Sequence, residues 1–211
     1  MIRTERLCLR RFQPGDSLTF LADPEVVRFE PYPPLNEAQQ ADALSARIQD
    51  SAFLAIEFKG AVIGNLYLGA REFGAIELGY ALAREHWHNG FAKEAASAAI
   101  QAAFASGAHR IYAECDPENE ASWRLLEALG FAREAHFRKN IYFKKDSSGN
   151  PIWKDTFVYS LLNERLIFPV FSGGVFCLDR AALFGYNVNQ MNNKRNEEIA
   201  YDHSFPARKP H

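Results

Sequence analysis

Glu77-Leu78-Gly79-Tyr80, followed by Trp87-His88-Asn89-Gly90-Phe91-Ala92 and an alanine-rich run to Phe104, is the stretch from which the rest of the chain is read. Ala75 to Leu82 has the composition of a strand. From Phe91 the period changes: Ala92, Ala95, Ala96, Ala99, Ile100, Ala103 and Phe104 fall on one helical face, with Lys93, Ser97 and Gln101 on another. A strand entering a helix through a small-residue loop is suited to anions. First-turn amides have no partner inside the helix and the dipole adds partial positive charge, so a pyrophosphate is held there without a lysine. Most such turns bind nothing, so the reading needs the remainder of the chain.

Upstream, Phe53 to Lys59 and Ala61 to Leu68 are apolar, β-branched and aromatic runs meeting at Gly60, which predicts a hairpin. Arg6 to Phe12 alternates as a half-buried strand. Asp16 is placed to cap a short helix through Leu21, Pro24 opens a second short helical turn, and Asn36 with Gln39 forms a capping-box pattern for a helix to about Asp50. Downstream, Ile111 to Cys115 reads as a strand, Asn119 caps a helix that Gly130 ends, and Phe131 to Lys144 and Ile152 to Leu162 read as two strands. The order predicts an α/β (α+β) fold: a single mixed, mostly antiparallel sheet with flanking helices over residues 1–165. Beyond Arg165 the texture shifts. Residues 166–211 form a C-terminal extension in which Leu166 to Leu178 suits a hairpin and Asn187 to His211 a loosely ordered polar tail.

The chain has 211 residues, 47% of them hydrophobic, and a formal net charge of -2. That balance argues against nucleic acid or an anionic membrane as a partner. Cys8, Cys115 and Cys177 form no CxxC pair and no zinc-type cluster, so no metal is expected and a reducing cytoplasm is the natural setting. Charged residues interrupt Met1 to Arg11, unlike a signal peptide, and no run reaches the ~20 apolar residues of a membrane span.

The motifs Thr4 to Arg10 (TERLCLR), Ile63 to Asn65 (IGN), Glu77 to Tyr80 (ELGY), Trp87 to Ala95 (WHNGFAKEA), Asn119 to Ser122 (NEAS), Leu129 to Phe131 (LGF) and Val158 to Leu161 (VYSL) occur in that order. Together they resemble the GCN5-related N-acetyltransferase (GNAT) family, in particular its ribosomal-protein alanine acetyltransferase branch. The resemblance implies splayed central strands that hold acetyl-CoA as co-substrate. Its pantetheine arm would run along Leu78, Gly79 and Tyr80, its pyrophosphate would meet the loop from Trp87 through His88, Asn89, Gly90 and Phe91 to Ala92, and Asn119 would reach a pantetheine amide. His88 departs from the pattern, since this branch usually carries glycine there.

An amine with a pKa near ~10 reacts only when neutral, so a base must take its proton. Glu77, on the strand that would hold the thioester, is the candidate; an ordinary strand carboxylate or half of an ion pair is the competing reading. Many members of the wider family place a tyrosine where Leu126 stands, whereas the alanine branch offers a serine at Ser122 as donor to the leaving thiolate. Tyr112 is the runner-up. Phe29, Pro31, Tyr32 and Pro33, with the basic Arg138 to Lys145 connection, are expected to flank the acceptor, a peptide N-terminus or a small-molecule amine. Direct attack in a ternary complex, by a monomer or homodimer, is the expected activity. The alternatives are a non-catalytic acyl-CoA-binding or interaction module and a polyamine or antibiotic acetyltransferase.

Overall fold

A computed structural model describes residues 1–163, and the predicted extension at 166–211 lies outside them. Eight strands form one sheet: β1 (Ile2–Arg3), β2 (Cys8–Arg10), β3 (Phe53–Phe58), β4 (Ala61–Ala70), β5 (Ala75–Leu82), β6 (Arg110–Cys115), β7 (Ala132–Lys145) and β8 (Pro151–Leu162), in spatial order 1-2-3-4-5-6-8-7. Every neighbouring pair is antiparallel except β5 and β6, which run parallel. Parallel neighbours need a crossover, and α2 (Phe91–Ala105) supplies it; α1 (Glu37–Gln49) and α3 (Glu120–Ala128) complete the α-helices among the described residues. None of these is long and apolar enough to cross a membrane.

Pleat alternation separates the two faces of the sheet. Ala81 packs with Phe53, Ala55, Ala43, Leu44 and Ile48, the cluster under α1, whereas its neighbour Tyr80 reaches Ser122 on α3. β4 is buried along most of its length because both faces are covered. On the other side α2 turns Ala95, Ala96, Ala99 and Ala103 inward, all fully buried. Side chains this small let a helix lie close over the strands it connects. Asn36 and Gln39 form the predicted capping box, each side chain bonded to the other's backbone N–H at 3.0 Å. β7 and β8 extend beyond β6 as a two-stranded arm that exposes Phe137, Tyr142, Phe143, Ile152 and Trp153.

The N-terminal region differs from expectation. The alternating stretch from Arg6 to Phe12 yields only the three-residue β2, and Ile2–Arg3 adds a strand that its short span did not announce. Asp16 caps no helix. Its carboxylate takes Arg10 Nη2 at 2.7 Å and Arg10 Nη1 at 2.8 Å and accepts the Gln13 N–H at 2.9 Å, while Arg10 Nε also holds Glu57 at 2.6 Å. The helix that follows is one 3-10 turn, Thr19–Ala22, and the segment after Pro24 is made of turns. A largely covered guanidinium on β2 thus outcompetes the backbone for the aspartate.

Burial alone would push the Asp16 carboxyl up, but the bonds from Arg10 and Gln13 outweigh it and hold the group below its ordinary range. A depressed carboxyl stabilises the fold above its unfolded pKa, and that contribution is lost as pH falls through the folded value. Asp16→Asn should therefore cost about 2 kcal/mol near neutrality, between the values for exposed and fully buried pairs. In urea titrations, the gap between variant and wild type should narrow on acidification below about pH 4.

Candidate active site

The site begins where pairing stops. β5 keeps register with β4 from Ile76 through Leu82, and β6 keeps register with β8 from Arg110 through Cys115. Between β5 and β6 only Ala75↔Arg110, Ile76↔Ile111 and Glu77↔Tyr112 are paired. Past Glu77 the strands part, leaving the edge of Leu78 to Leu82 that faces away from β4 without a strand partner. Backbone groups in that position demand hydrogen bonds, and an extended ligand carrying its own amides supplies them as a strand would.

At the wide end of the fork the chain turns into α2. Trp87 Nε1 donates to the Leu82 carbonyl at 2.8 Å, and Asn89 Nδ2 donates to the Trp87 carbonyl at 2.9 Å, so the loop is tied to the end of β5. His88 adopts φ 60° and Gly90 φ 77°. The glycine-like backbone expected at position 88 is thus present in a histidine, whose exposed side chain makes no demand on the loop. Gly90 is the N-cap of α2 and brings no side-chain acceptor, so the amides of Phe91 and Ala92 stay uncapped. The Phe91 ring, 4.7 Å from that of Phe58, holds this helix end against β3.

Three neutral protic groups meet on the α3 side of the fork. The Tyr80 hydroxyl donates to the Ser122 carbonyl at 3.1 Å and lies 3.0 Å from Ser122 Oγ. Burial pushes the Tyr80 phenol up, and burial likewise pushes the Cys115 thiol, which hydrogen-bonds Ser122, up to about 11. All three groups therefore hold their protons near neutrality. Asn119 Oδ1 accepts the Ser122 N–H at 3.2 Å as a helix cap, leaving its amide NH₂ for another partner. Leu126, where the wider family places its tyrosine, is fully buried in the core.

Glu77 occupies the opposite face and is paired with Arg71. Arg71 also bonds Tyr67 and Tyr112, and these contacts, Tyr67's foremost, raise its pKa further. The Tyr67 ring lies across Gly69, where any Cβ would collide with it, so glycine makes room for the phenol to reach Arg71. Glu114, two residues beyond Tyr112, has its carboxyl pushed up by partial desolvation and then by the charge of Glu77. Sequence spacing marks neither Arg71 nor Tyr67 nor Glu114, because only the β4–β5–β6 register assembles them.

Across the mouth, Lys154 on β8 pairs with Asp116 and stands 5.8 Å from the Phe29 ring. Of the two segments expected to flank the acceptor, the one containing Phe29 thus meets β8 at Lys154, a residue beyond the Arg138 to Lys145 connection. Tyr32 packs into the cluster under α1, and burial, followed by the charge of Glu30, pushes its phenol up to about 12.

Residues 6–132 match the family model described as "Acetyltransferase (GNAT) domain". The chain is similar to an uncharacterized N-acetyltransferase, p20, of Bacillus licheniformis, at 32% identity over 77% of this chain and 96% of that protein. It is also similar to a solved GNAT-family acetyltransferase of Bacillus anthracis, with TM-score 0.69 and 26% identity over 76% of this chain and 97% of the other. Spermidine N-acetyltransferase of Vibrio cholerae, solved with CoA and spermine, shares the fold with TM-score 0.63 and 22% identity over 78% of this chain and 100% of the other. The parted strands, the uncapped helix start and these matches agree: the chain belongs to the GNAT family and is an acetyl-CoA-dependent N-acetyltransferase.

Proposed function

We propose that the chain transfers acetyl to a primary amine by direct attack in a ternary complex, with the acetyl group held where β5 leaves β6. The observation that carries this reading is the loss of pairing immediately after Glu77↔Tyr112, which leaves an unpaired backbone edge with a carboxylate on one face and a cluster of hydroxyls on the other. The pantetheine arm lies along Leu78 to Tyr80, and Asn119 gives its free amide to the arm. The pyrophosphate rests on the amides of the loop from Trp87 to Ala92. An N–H of the open β5 edge stabilises the tetrahedral oxyanion.

Glu77 is the base in this reading. Arg71 takes Oε2 and thereby orients the carboxylate, and Oε1 takes no hydrogen bond within the described residues. The amine proton passes to Oε1 directly or through one water. With Glu77 paired to Arg71, Glu114 supplies the net negative charge on the same face, so the field at the fork favours an acceptor that arrives as an ammonium ion. Ser122, fixed by Tyr80 and by the helix cap, donates to the departing thiolate. The buried, protonated Cys115 serves as packing and takes no acyl group. Motif resemblance to the alanine acetyltransferase branch favours a protein N-terminus as acceptor, and the spermidine enzyme sharing the fold makes a polyamine the second reading.

Glu77→Gln should lower kcat by about a hundredfold or more, the scale of general-base catalysis, while acetyl-CoA binding by calorimetry stays at the wild-type level. Unchanged turnover across pH 6 to 9 would remove Glu77 from the role. Ser122→Ala should lower kcat by about tenfold with little change in either KM, as expected for a bond made to the leaving group alone; an altered acetyl-CoA KM at constant kcat would assign the serine to binding. Release of free CoA, measured side by side with ribosomal N-terminal peptides, polyamines and aminoglycosides, identifies the acceptor class. No release with any amine, despite acetyl-CoA binding, would leave a binding module.

A further inference from the structure

The N-terminal motif TERL has no part in the chemistry above, yet its side chains converge on the loop between β5 and α2. Arg6 Nε donates to Glu94 Oε2 at 2.7 Å, and the Arg6 backbone N–H donates to Glu94 Oε1 at 2.9 Å. Arg6 Nη1 donates to the Asn89 carbonyl at 2.9 Å, and the guanidinium carbon lies 4.4 Å from the centre of the Phe91 ring. Thr4 Oγ1 donates to Glu94 Oε1 at 2.5 Å. Glu94 sits in the first turn of α2 with its side chain largely covered. Burial alone would push its carboxyl up, but the bonds from Thr4 and from the Arg6 backbone and side chain outweigh that and hold it below its ordinary range.

An isolated surface ion pair contributes little. Here one guanidinium ties three features together: a helix carboxylate, an aromatic ring at the helix start and a carbonyl inside a turn with left-handed residues on both sides of it, at His88 and Gly90. A trans peptide is planar with its C=O and N–H opposed. An Asn89 carbonyl drawn toward Arg6 therefore aims the Gly90 N–H away from Arg6. Rotation of that peptide would replace a donor with an acceptor at the start of α2, where an anion is to be received.

We propose that Arg6 is a positioning residue for the pyrophosphate of acetyl-CoA: anchored by Thr4 and Glu94, it fixes the Asn89–Gly90 peptide in the orientation that presents its N–H. The inference rests on the reading of the Trp87 to Ala92 loop as the pyrophosphate site, and the test separates the two.

KM and kcat are measured with acetyl-CoA and with S-acetyl-pantetheine, which carries the thioester arm without the pyrophosphate, for wild type, Arg6→Met, Arg6→Lys and Glu94→Gln. The expected result is a rise of about tenfold in KM for acetyl-CoA in Arg6→Met, the scale of one charge-assisted hydrogen bond. KM for S-acetyl-pantetheine, kcat and the amine KM should stay at wild-type values. Arg6→Lys should fall in between, because a single ammonium cannot span Glu94 and the Asn89 carbonyl together, and Glu94→Gln should shift in the same direction as Arg6→Met. An equal loss with both thioesters, or no change with either, overturns the inference. A wild type that handles the two thioesters equally well overturns the loop reading and the inference with it. Melting temperatures show whether each variant is folded, and Arg6→Lys keeps the comparison informative where Arg6→Met is not.

Discussion

Two strands that run side by side for three residues and then separate leave backbone groups that must be satisfied by something other than the sheet. The rest of the structure exists to make that separation stable. β5 does not fray, because its other edge stays paired with β4 to Leu82, and β6 does not fray, because β8 accompanies it to Cys115. Each arm of the fork has its own partner, so the opening is a fixed feature of the topology. The parallel sense of β5 and β6 has a second effect. It requires a helical crossover, and the crossover helix starts at the end of β5 where the strands have parted. An unpaired strand edge and an uncapped helix N-terminus are thereby brought to one cleft, which is where open sheets of parallel strands bind their ligands.

This arrangement also accounts for a charge balance that looks unsuited to a polyanionic co-substrate. The chain carries more acidic than basic residues, and Glu77, paired with Arg71, and Glu114 stand at the narrow end of the fork, where the proposed reaction brings the amine. In the proposed complex the phosphate groups meet the amides and helix dipole at the opposite end. The nearby cation Arg6 is committed to Glu94 and to a backbone carbonyl. In that proposal, separating the two polarities along β5 lets one cleft take a cation and an anion at once, an arrangement that overall net charge does not reveal.

Legibility in the sequence followed the range of the interactions. The α2 periodicity, the Asn36–Gln39 capping box, the Gly60 hairpin and the Asn119 cap all depend on residues a few positions apart, and all were readable. The parting of β5 and β6 came from motif resemblance, since no local pattern states that two strands pair for three residues and stop. Asp16 departs from its local pattern, since capping a helix is a common use of aspartate before an apolar run, whereas its deciding partner, Arg10, belongs to another element and also engages Glu57 on β3. The pairs Arg6–Glu94 and Arg71–Glu77 were invisible for the same reason: strand register and loop closure bring them together.

His88 and Leu126 show how far a departure from a motif carries. Each replaces a residue that would ordinarily be read as essential, and the structure treats them differently. At position 88 the requirement is conformational. A residue at φ 60° costs a non-glycine about 1 kcal/mol, a strain offset by the bonds of Trp87 and Asn89 on either side, so the loop is retained. At position 126 the requirement is chemical. A leucine with no exposed surface has no hydroxyl to offer, and any donor to the thiolate must come from elsewhere in the cleft. Tyr80 enters from β5 and Ser122 from the first turn of α3, and their hydroxyls stand 3.0 Å apart. A proton donor is defined by where its hydrogen is delivered, and with the Tyr80 hydroxyl donating to the Ser122 carbonyl, that delivery falls in the proposed mechanism to the serine on the helix.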